Sequence, residues 1–222
     1  QLAFVQSEAF FDFLINSFGY TQEQAYDLFL DPTVSIAGND MNVIRAYAEG
    51  AYGQGMMVGV VDSGVEINHP DLRANIAANK SLNLVADATN KSDPTSSAVL
   101  GDHGTSVSGL IAATANNGIG GRGVAPQAKV FGVNYLGGSG TQTTLNNGLS
   151  HGIPGSGVSE SDPVIAYNRS YGISVPFALY ASATDEAFAT YSMLNLRNGL
   201  GAVNVKSAGN SFDDTGSAGY FS

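Results

Sequence analysis

Four apolar runs, spaced along the chain from residue 56 onward, limit the folds that this sequence can adopt. They are "MMVGVV" at 56–61, "KVFGVNYL" at 129–136, "PVIAYN" at 163–168 and "AVNVKSAG" at 202–209. The first three are nearly continuous, which is typical of strands buried on both faces of a sheet. Such sheets are parallel and are covered by helices on both sides. The runs therefore predict the strands of a mostly parallel central sheet.

Segments with helical character separate these runs. "VSGLIAATA" at 107–115, "TTLNNGLSHGI" at 143–153 and "YASATDEAFATYSMLNLRNG" at 180–199 predict helices, the last ending at Asn198-Gly199. Strands that alternate with helices form crossover units, so we expect an α/β fold of three layers with helices on both faces of the sheet. In such folds, binding sites form at the carboxyl ends of the strands.

The first 31 residues have a different pattern. "SEAFFDFLINSF" and "GYTQEQAYDLFLDP" predict two helices, with Thr21 and Gln24 as a capping box and Asp31-Pro32 as a stop. We therefore divide the chain into an N-terminal helical extension or pro-segment remnant at 1–31 and a main domain at 32–222. Nothing in the extension suggests chemistry.

Composition narrows the classes of function. The 222 residues carry a net charge of −10 and no cysteine, and 43% of them are hydrophobic. Nucleic acids and anionic membrane surfaces attract clusters of Lys and Arg, so the acidic balance argues against both as partners. The lack of cysteine excludes disulfides, thiol catalysis and Cys-bound zinc. No stretch approaches the ~20 apolar residues of a membrane span, and the composition favours a bacterial protein that is secreted or periplasmic.

Three polar residues fall where the predicted fold places a site. Asp62 follows the first apolar run, Asn210 follows the last, and His103 directly precedes the predicted helix that begins at about Gly104. Each has an ordinary structural explanation, because Asp and Asn are common turn residues and a histidine can cap a helix. Taken together, they point to chemistry at the carboxyl edge of the sheet.

The sequence around these residues resembles the subtilisin-like serine proteases, the subtilases. "VVDSGVEINHPDL" contains Asp62, "HGTSVSGLIAA" contains His103, and "SAGN" ends at Asn210. The three motifs occur in the family's order, and the agreement runs from about residue 40 to the end. The resemblance implies a subtilisin-like fold and a serine endopeptidase. "DMNV", "NRSYG" and the acidic tail are most similar to the kexin-like branch.

The resemblance also implies a role for each residue. His103 would take the proton of a nucleophilic serine and return it to the leaving amine, which an imidazole can do near neutral pH. Asp62 would hold the other ring nitrogen and stabilise the imidazolium. Asn210 would donate its side-chain amide to the oxyanion.

Two glycine-containing segments match the walls of the family's substrate cleft, in which a peptide lies as an extended strand. The implied substrate-binding residues are Gly138, Ser139 and Gly140 on one wall and Ser170, Tyr171 and Gly172 on the other. Kexin-like enzymes carry a second acid after the catalytic Asp and acids after the second wall. Here those places hold Ser63 and the apolar "ISVPFALY", which argue against cleavage after paired basic residues. Asp213 and Asp214 are acids that would favour such cleavage, so both alternatives stay open.

A structural calcium ion is the cofactor that the resemblance implies. Its ligands would be Asp71 and the loop residues Ala115, Asn117, Ile119 and Gly121. One carboxylate, one amide and several carbonyl oxygens suit a hard cation. The other histidines, His69 and His151, are expected to be structural, with His69 hydrogen-bonding locally.

The family's nucleophile motif, "GTS-x-A-x-P", does not occur in the 222 residues. Ser106 belongs to the His103 motif, so it cannot also be the nucleophile. We therefore expect the nucleophilic serine beyond residue 222, supplied by the remainder of the same catalytic domain, either in one polypeptide or as a second chain. The alternative is a non-catalytic subtilase-like module that binds peptides or a partner. A metal-dependent hydrolase with Asp62 and His103 as ligands is disfavoured, because a third ligand is lacking.

Overall fold

A computed structural model describes residues 21, 41, 43–85, 87–96, 101–137, 158–171 and 183–207. The helices predicted at 1–31, apart from the single residue Thr21, and at 143–153 lie outside this part of the chain. In chain order the elements are α1 Ile44–Ala48, β1 Met57–Asp62, a 3₁₀ turn at Arg73–Asn75, β2 Leu82–Asn83, α2 His103–Ala112, β3 Lys129–Asn134, β4 Val164–Arg169, α3 Ala183–Leu194 and β5 Val203–Lys206.

The strands of the described residues form one parallel sheet in the order β2-β3-β1-β4-β5. The first strand along the chain lies in the middle because the chain passes from β1 beyond β3 to β2, returns to β3, and then crosses β1 to reach β4. Asp62 pairs with Asn134 on one side of β1, and Val61 pairs with Arg169 on the other. The carboxyl ends of β3, β1 and β4 therefore meet at one edge.

Each face of the sheet packs into a separate apolar cluster. On one face Val61, Phe131 and Tyr167 pack with Phe188 of α3 and with Leu196 just beyond it. On the other, Val58 and Val130 pack with Ala112 of α2. Neighbouring residues such as Met57 and Val58 enter opposite clusters because side chains alternate along a strand. This arrangement confirms the predicted three layers.

The four strands predicted from apolar runs are confirmed, and two helix boundaries differ from the prediction. Helix α2 covers 103–112, so it begins one residue before the predicted start at about Gly104. It ends three residues before the predicted segment 107–115 does, since the backbone N–H of Thr114 donates to the carbonyl oxygen of Asp71 instead of continuing the helix. Helix α3 ends at Leu194 rather than at 198–199. Arg197 and Asn198 both have a φ of 55°, so the chain turns through left-handed backbone before Gly199.

Helix α2 packs against the sheet through small side chains rather than large apolar ones. Its buried residues are small, namely Gly104, Thr105, Ser108 and Ala112. Leu110 is 67% exposed. Small side chains allow the helix axis to approach the sheet closely, which brings the first turn of α2 against the end of β1.

The sheet ends at β5, which pairs only with β4 among the described strands. All four residues of β5 are exposed, including Val203 and Val205. An exposed apolar edge strand presents unpaired backbone groups that favour pairing with another segment. Within the described part of the chain, no helix is long and apolar enough to cross a bilayer.

Candidate active site

Asp62 is fixed at the carboxyl end of β1 by its neighbours. Its side chain is fully buried, and its carboxylate oxygen Oδ1 accepts the backbone N–H of Ser63 at 2.7 Å. Its carbonyl oxygen accepts the backbone N–H groups of Tyr135 at 3.0 Å and Leu136 at 3.1 Å, where the chain leaves β3. A carboxylate held in this way has little freedom to turn.

His103 is the first residue of α2, and its ring faces that carboxylate. The distance from His103 Nδ1 to Asp62 Oδ1 is 2.8 Å. A carboxylate can only accept, so Nδ1 carries a proton, and in the neutral form of the ring Nε2 then has the free lone pair. The side chain of His103 is 58% exposed, whereas that of Asp62 is fully buried. The ring therefore turns one nitrogen to a buried acid and leaves its other edge open to solvent.

The second oxygen of Asp62, Oδ2, is buried and accepts no hydrogen bond within the described residues. Together with Oδ1, it places a negative charge out of contact with water directly beside the imidazole. Such a fixed, poorly solvated charge stabilises the positive charge that develops when the ring takes a proton. The pair is thus built to act as a general base with a buried partner.

Gly104 explains how α2 comes close enough for this contact. A Cβ atom on Gly104 would lie 2.2 Å from the carbonyl oxygen of Gly64 and 2.9 Å from Asp62 Cβ. The backbone N–H of Gly104 donates to Ser63 Oγ at 3.3 Å, and Thr105 Oγ1 accepts the N–H of Glu66 at 3.0 Å. These contacts join the first turn of α2 to the segment after β1.

The sequence motifs did not predict the structural roles of Gly104, Ser63 and Thr105. The available signal was the order of residue types in "HGT". A glycine directly after a site histidine indicates close backbone approach, and a threonine after it can accept a hydrogen bond from a loop. Which backbone group each one meets depends on the tertiary fold.

The structure places two of the six implied substrate-binding residues. Ser170 and Tyr171 follow β4, at the same edge of the sheet as Asp62. Ser170 Oγ accepts from the Asn168 side-chain amide at 2.8 Å, and the carbonyl oxygen of Tyr171 accepts from Ser207 Oγ at 3.4 Å. The remaining candidates lie outside the described residues: Gly138, Ser139, Gly140, Gly172 and Asn210, which the resemblance predicts to be the oxyanion donor.

The structure brings Asp71 together with the loop predicted to share a cation with it. Asp71 is buried, its Oδ1 accepts from Asn117 Nδ2 at 2.8 Å, and its Oδ2 accepts from the backbone N–H of Gly121 at 3.0 Å. Gly120 has a φ of 55°, and a Cβ atom there would lie 2.4 Å from Asp71 Oδ2. Ala115 and Ile119 lie in the same loop, whose backbone wraps closely around the carboxylate.

His69 behaves as predicted. Its Nδ1 accepts the backbone N–H of Asp71 at 3.3 Å, so it stabilises the turn that carries that carboxylate. His151 lies outside the described residues. Among the described residues no group of three or more His, Asp or Glu could hold a metal ion.

A sequence model described as the subtilase family matches residues 53–220. The chain belongs to the subtilase family. This subtilase is 38% identical to the Aeromonas extracellular serine protease of Aeromonas sobria over 187 residues, which are 83% of this chain and 28% of the relative. It is 39% identical to rat furin over 108 residues, 46% of this chain and 13% of furin.

Solved structures agree with this assignment. The Aeromonas sobria serine protease in complex with a chaperone matches with a TM-score of 0.64 at 38% identity, covering 79% of this chain and 28% of that protease. A protease from Pseudoalteromonas arctica matches with a TM-score of 0.57 at 28% identity, covering 80% of this chain and 56% of its own. The subtilase described here thus spans a little over a quarter of the Aeromonas relative.

Proposed function

We propose that the protein is a serine endopeptidase of the subtilisin/kexin type, acting on polypeptides. The observation that carries this proposal is the 2.8 Å contact between His103 Nδ1 and the buried Asp62 carboxylate. A buried acid that orients an exposed imidazole is the arrangement that activates a serine nucleophile. The furin relatives support the kexin-like branch.

In the proposed reaction, His103 Nε2 removes the proton from a serine hydroxyl as the serine oxygen bonds to the peptide carbonyl carbon. Asp62 Oδ1 retains the Nδ1 proton and stabilises the imidazolium. The imidazolium then gives its proton to the leaving amine, and water repeats the sequence to release the acyl group. Asn210 is proposed as the donor to the oxyanion.

The proposed nucleophile is a serine outside these 222 residues, within the remainder of the catalytic domain. Two exposed apolar surfaces support a covering segment: Leu110 on α2, and Val203 and Val205 on the edge strand β5. Residues 32–222 are accordingly proposed as part of the catalytic domain, and 1–31 as an N-terminal extension. The remainder belongs either to the same polypeptide or to a second chain. The size of the labelled species in the experiment below distinguishes these two cases.

Labelling with a fluorophosphonate probe tests the proposed function. The whole gene product should be labelled on one serine and should hydrolyse casein. His103→Ala should lose both properties while its thermal unfolding stays the same. A well-folded wild-type protein that is not labelled, or an alanine or glycine at the nucleophile position, would favour the non-catalytic module instead.

We further propose that the loop at 115–121 and Asp71 bind calcium. By residue type the donor set suits a hard cation, because it combines one carboxylate with an amide and backbone carbonyls. In the structure Asn117 turns its Nδ2 to Asp71 and its Oδ1 accepts the N–H of Ile119 at 3.1 Å, so binding would require this amide to rotate. Asp71 is a buried carboxylate that forms no ion pair among the described residues, so a cation would compensate its charge. The ion would contribute rigidity to this loop and take no part in the reaction.

Secretion, to the periplasm or beyond the cell, is proposed as well. The Aeromonas relative is described as extracellular and is bacterial, and the cysteine-free composition is compatible with export in bacteria. Detection of the protein in culture supernatant or periplasm, rather than in the cytosol, tests this proposal.

A further inference from the structure

Tyr135 and Tyr171 form a contact that spans the end of the strand carrying Asp62. Tyr135 is the residue after β3, and Tyr171 is the second residue after β4. Strand β1 lies between β3 and β4, so the backbones of the two outer strands are about 9.5 Å apart. The two rings bridge this gap, with centroids 5.3 Å apart and planes tilted by 46°.

Both rings lie on the α3 face of the sheet. They are half-buried and pack against the cluster that contains Val61 and Phe188. Asp62 follows Val61 along β1, so its side chain points to the opposite face, toward His103. The tyrosine pair therefore packs on one face of the sheet, while the hydrogen bond between Asp62 and His103 lies on the other face.

Each tyrosine is tied to one expected wall of the substrate cleft. The N–H of Tyr135 donates to the carbonyl oxygen of Asp62, and two residues later the N–H of Gly137 donates to Asn134 Oδ1 at 3.0 Å. This stretch leads directly into the wall at 138–140. Tyr171 belongs to the other wall, and its backbone is joined to the end of β5 through Ser207 Oγ.

A cation lies near the Tyr171 ring. Lys206 Nζ lies 5.2 Å from the centroid of that ring, within the range of a cation–π contact. Contacts from Tyr135 and from β5 thus both restrain the ring.

We infer that Tyr135 and Tyr171 are positioning residues that act as one unit and set the separation of residues 135–137, which lead into one expected wall, from residues 170–171 of the other. The inference rests on the proposed function only in taking these segments as the walls that bind an extended peptide. Loss of either ring removes the same contact, so these two segments lose their fixed spacing. An extended substrate then binds less tightly, while the chemistry at His103 is unaffected.

The test is a double-mutant cycle in the whole gene product, with KM and kcat measured on casein, an unfolded polypeptide. Tyr135→Leu and Tyr171→Leu should each raise KM roughly 3- to 10-fold, with kcat within about twofold of wild type. The double variant should match either single variant, because the pair is already broken. Multiplication of the two effects, or an unchanged KM in both single variants, would overturn the inference.

Tyr52→Leu is a matched control. It breaks a stacked pair with Tyr47 whose centroids are 5.2 Å apart, in the segment before β1. Its KM should equal that of wild type, and a comparable rise would assign the effect to general loss of packing. If either leucine variant fails to fold, Tyr135→Met fills the space with an unbranched side chain and should give the same rise in KM.

A measurement of casein binding distinguishes a failure of this inference from a failure of the proposed function. In a His103→Ala background, the Kd for fluorescein-labelled casein should change by the same factors across the cycle. If the wild-type protein hydrolyses nothing but this pattern appears, the proposed function fails and the positioning role stands. If casein does not bind, or binds equally to every variant, the positioning role is refuted.

Discussion

Gly104→Ala tests the close approach on which the Asp62–His103 contact depends. The added methyl would lie 2.2 Å from the carbonyl oxygen of Gly64, whereas a carbon and an oxygen need about 3.3 Å. Relief of this overlap requires the first turn of α2 to move away by about 1 Å. The distance from His103 Nδ1 to Asp62 Oδ1 would then grow from 2.8 Å to about 3.9 Å, beyond hydrogen-bond range.

Displacements of this size near reacting groups cost on the order of 10²-fold in rate. We therefore expect kcat/KM of Gly104→Ala to fall by about that factor, with most of the loss in kcat. The assay is steady-state hydrolysis of casein, together with thermal unfolding to confirm that the variant is folded.

Gly109→Ala is the matched control, because it lies in the same helix and a Cβ atom there meets nothing within 4 Å. Alanine favours a helix over glycine by about 1 kcal/mol, so this variant should be as stable as wild type or more so, with unchanged activity. Equal activity of Gly104→Ala and wild type would refute the argument that this glycine fixes the catalytic distance.

Three other predictions follow from the described contacts. Asp62→Asn should lower kcat by roughly 10⁴-fold without unfolding the protein, because an amide favours the wrong ring tautomer. That factor is the one known for the equivalent change in another serine protease. A loss below tenfold would contradict the role assigned to Asp62. Lys80 Nζ lies 2.8 Å from Asp162 Oδ2. Burial acts to raise the pKa of Asp162, but hydrogen bonds from Lys80 and Ser159 outweigh the effect of burial and hold that pKa below its usual value. This pair should therefore stabilise the fold above the unfolded pKa of about 4, and its contribution should be lost as the pH falls through the lower folded pKa. Lys80→Met should accordingly cost about 1 kcal/mol or less in urea unfolding at pH 7 and almost nothing at pH 2, and a pH-independent difference would contradict the assignment. Calcium should raise the melting temperature of wild type and not of Asp71→Asn, and an equal shift in both would exclude Asp71 as a ligand.

The sequence predicted the strands well because their apolar runs reflect burial on both faces, which is a local pattern. It also predicted that Asp62 and His103 lie close together, because Asp62 ends a strand and His103 precedes a helix at the same edge of a parallel sheet. The short strand β2, with only Leu82 and Asn83, was missed because two residues carry no periodicity.

Other features could not be read from the chain because they depend on tertiary contacts. The end of α3 at Leu194 is set by left-handed backbone at Arg197 and Asn198, two residue types that also occur inside helices. The exposure of Leu110 depends on which face of α2 meets the sheet, and small residues took the buried face. The contact between Tyr135 and Tyr171 joins residues 36 positions apart and has no signature in either segment.

The proton position on His103 is the central claim, and nitrogen NMR of the imidazole rings measures it directly. The whole gene product would be labelled with ¹⁵N-histidine, and His69→Gln and His151→Gln would assign the signals. We predict that the neutral form of the His103 ring carries its proton on Nδ1, in a hydrogen bond that Asp62→Ala abolishes. A ring protonated on Nε2, or one whose Nδ1 signal is unchanged in Asp62→Ala, would contradict the account.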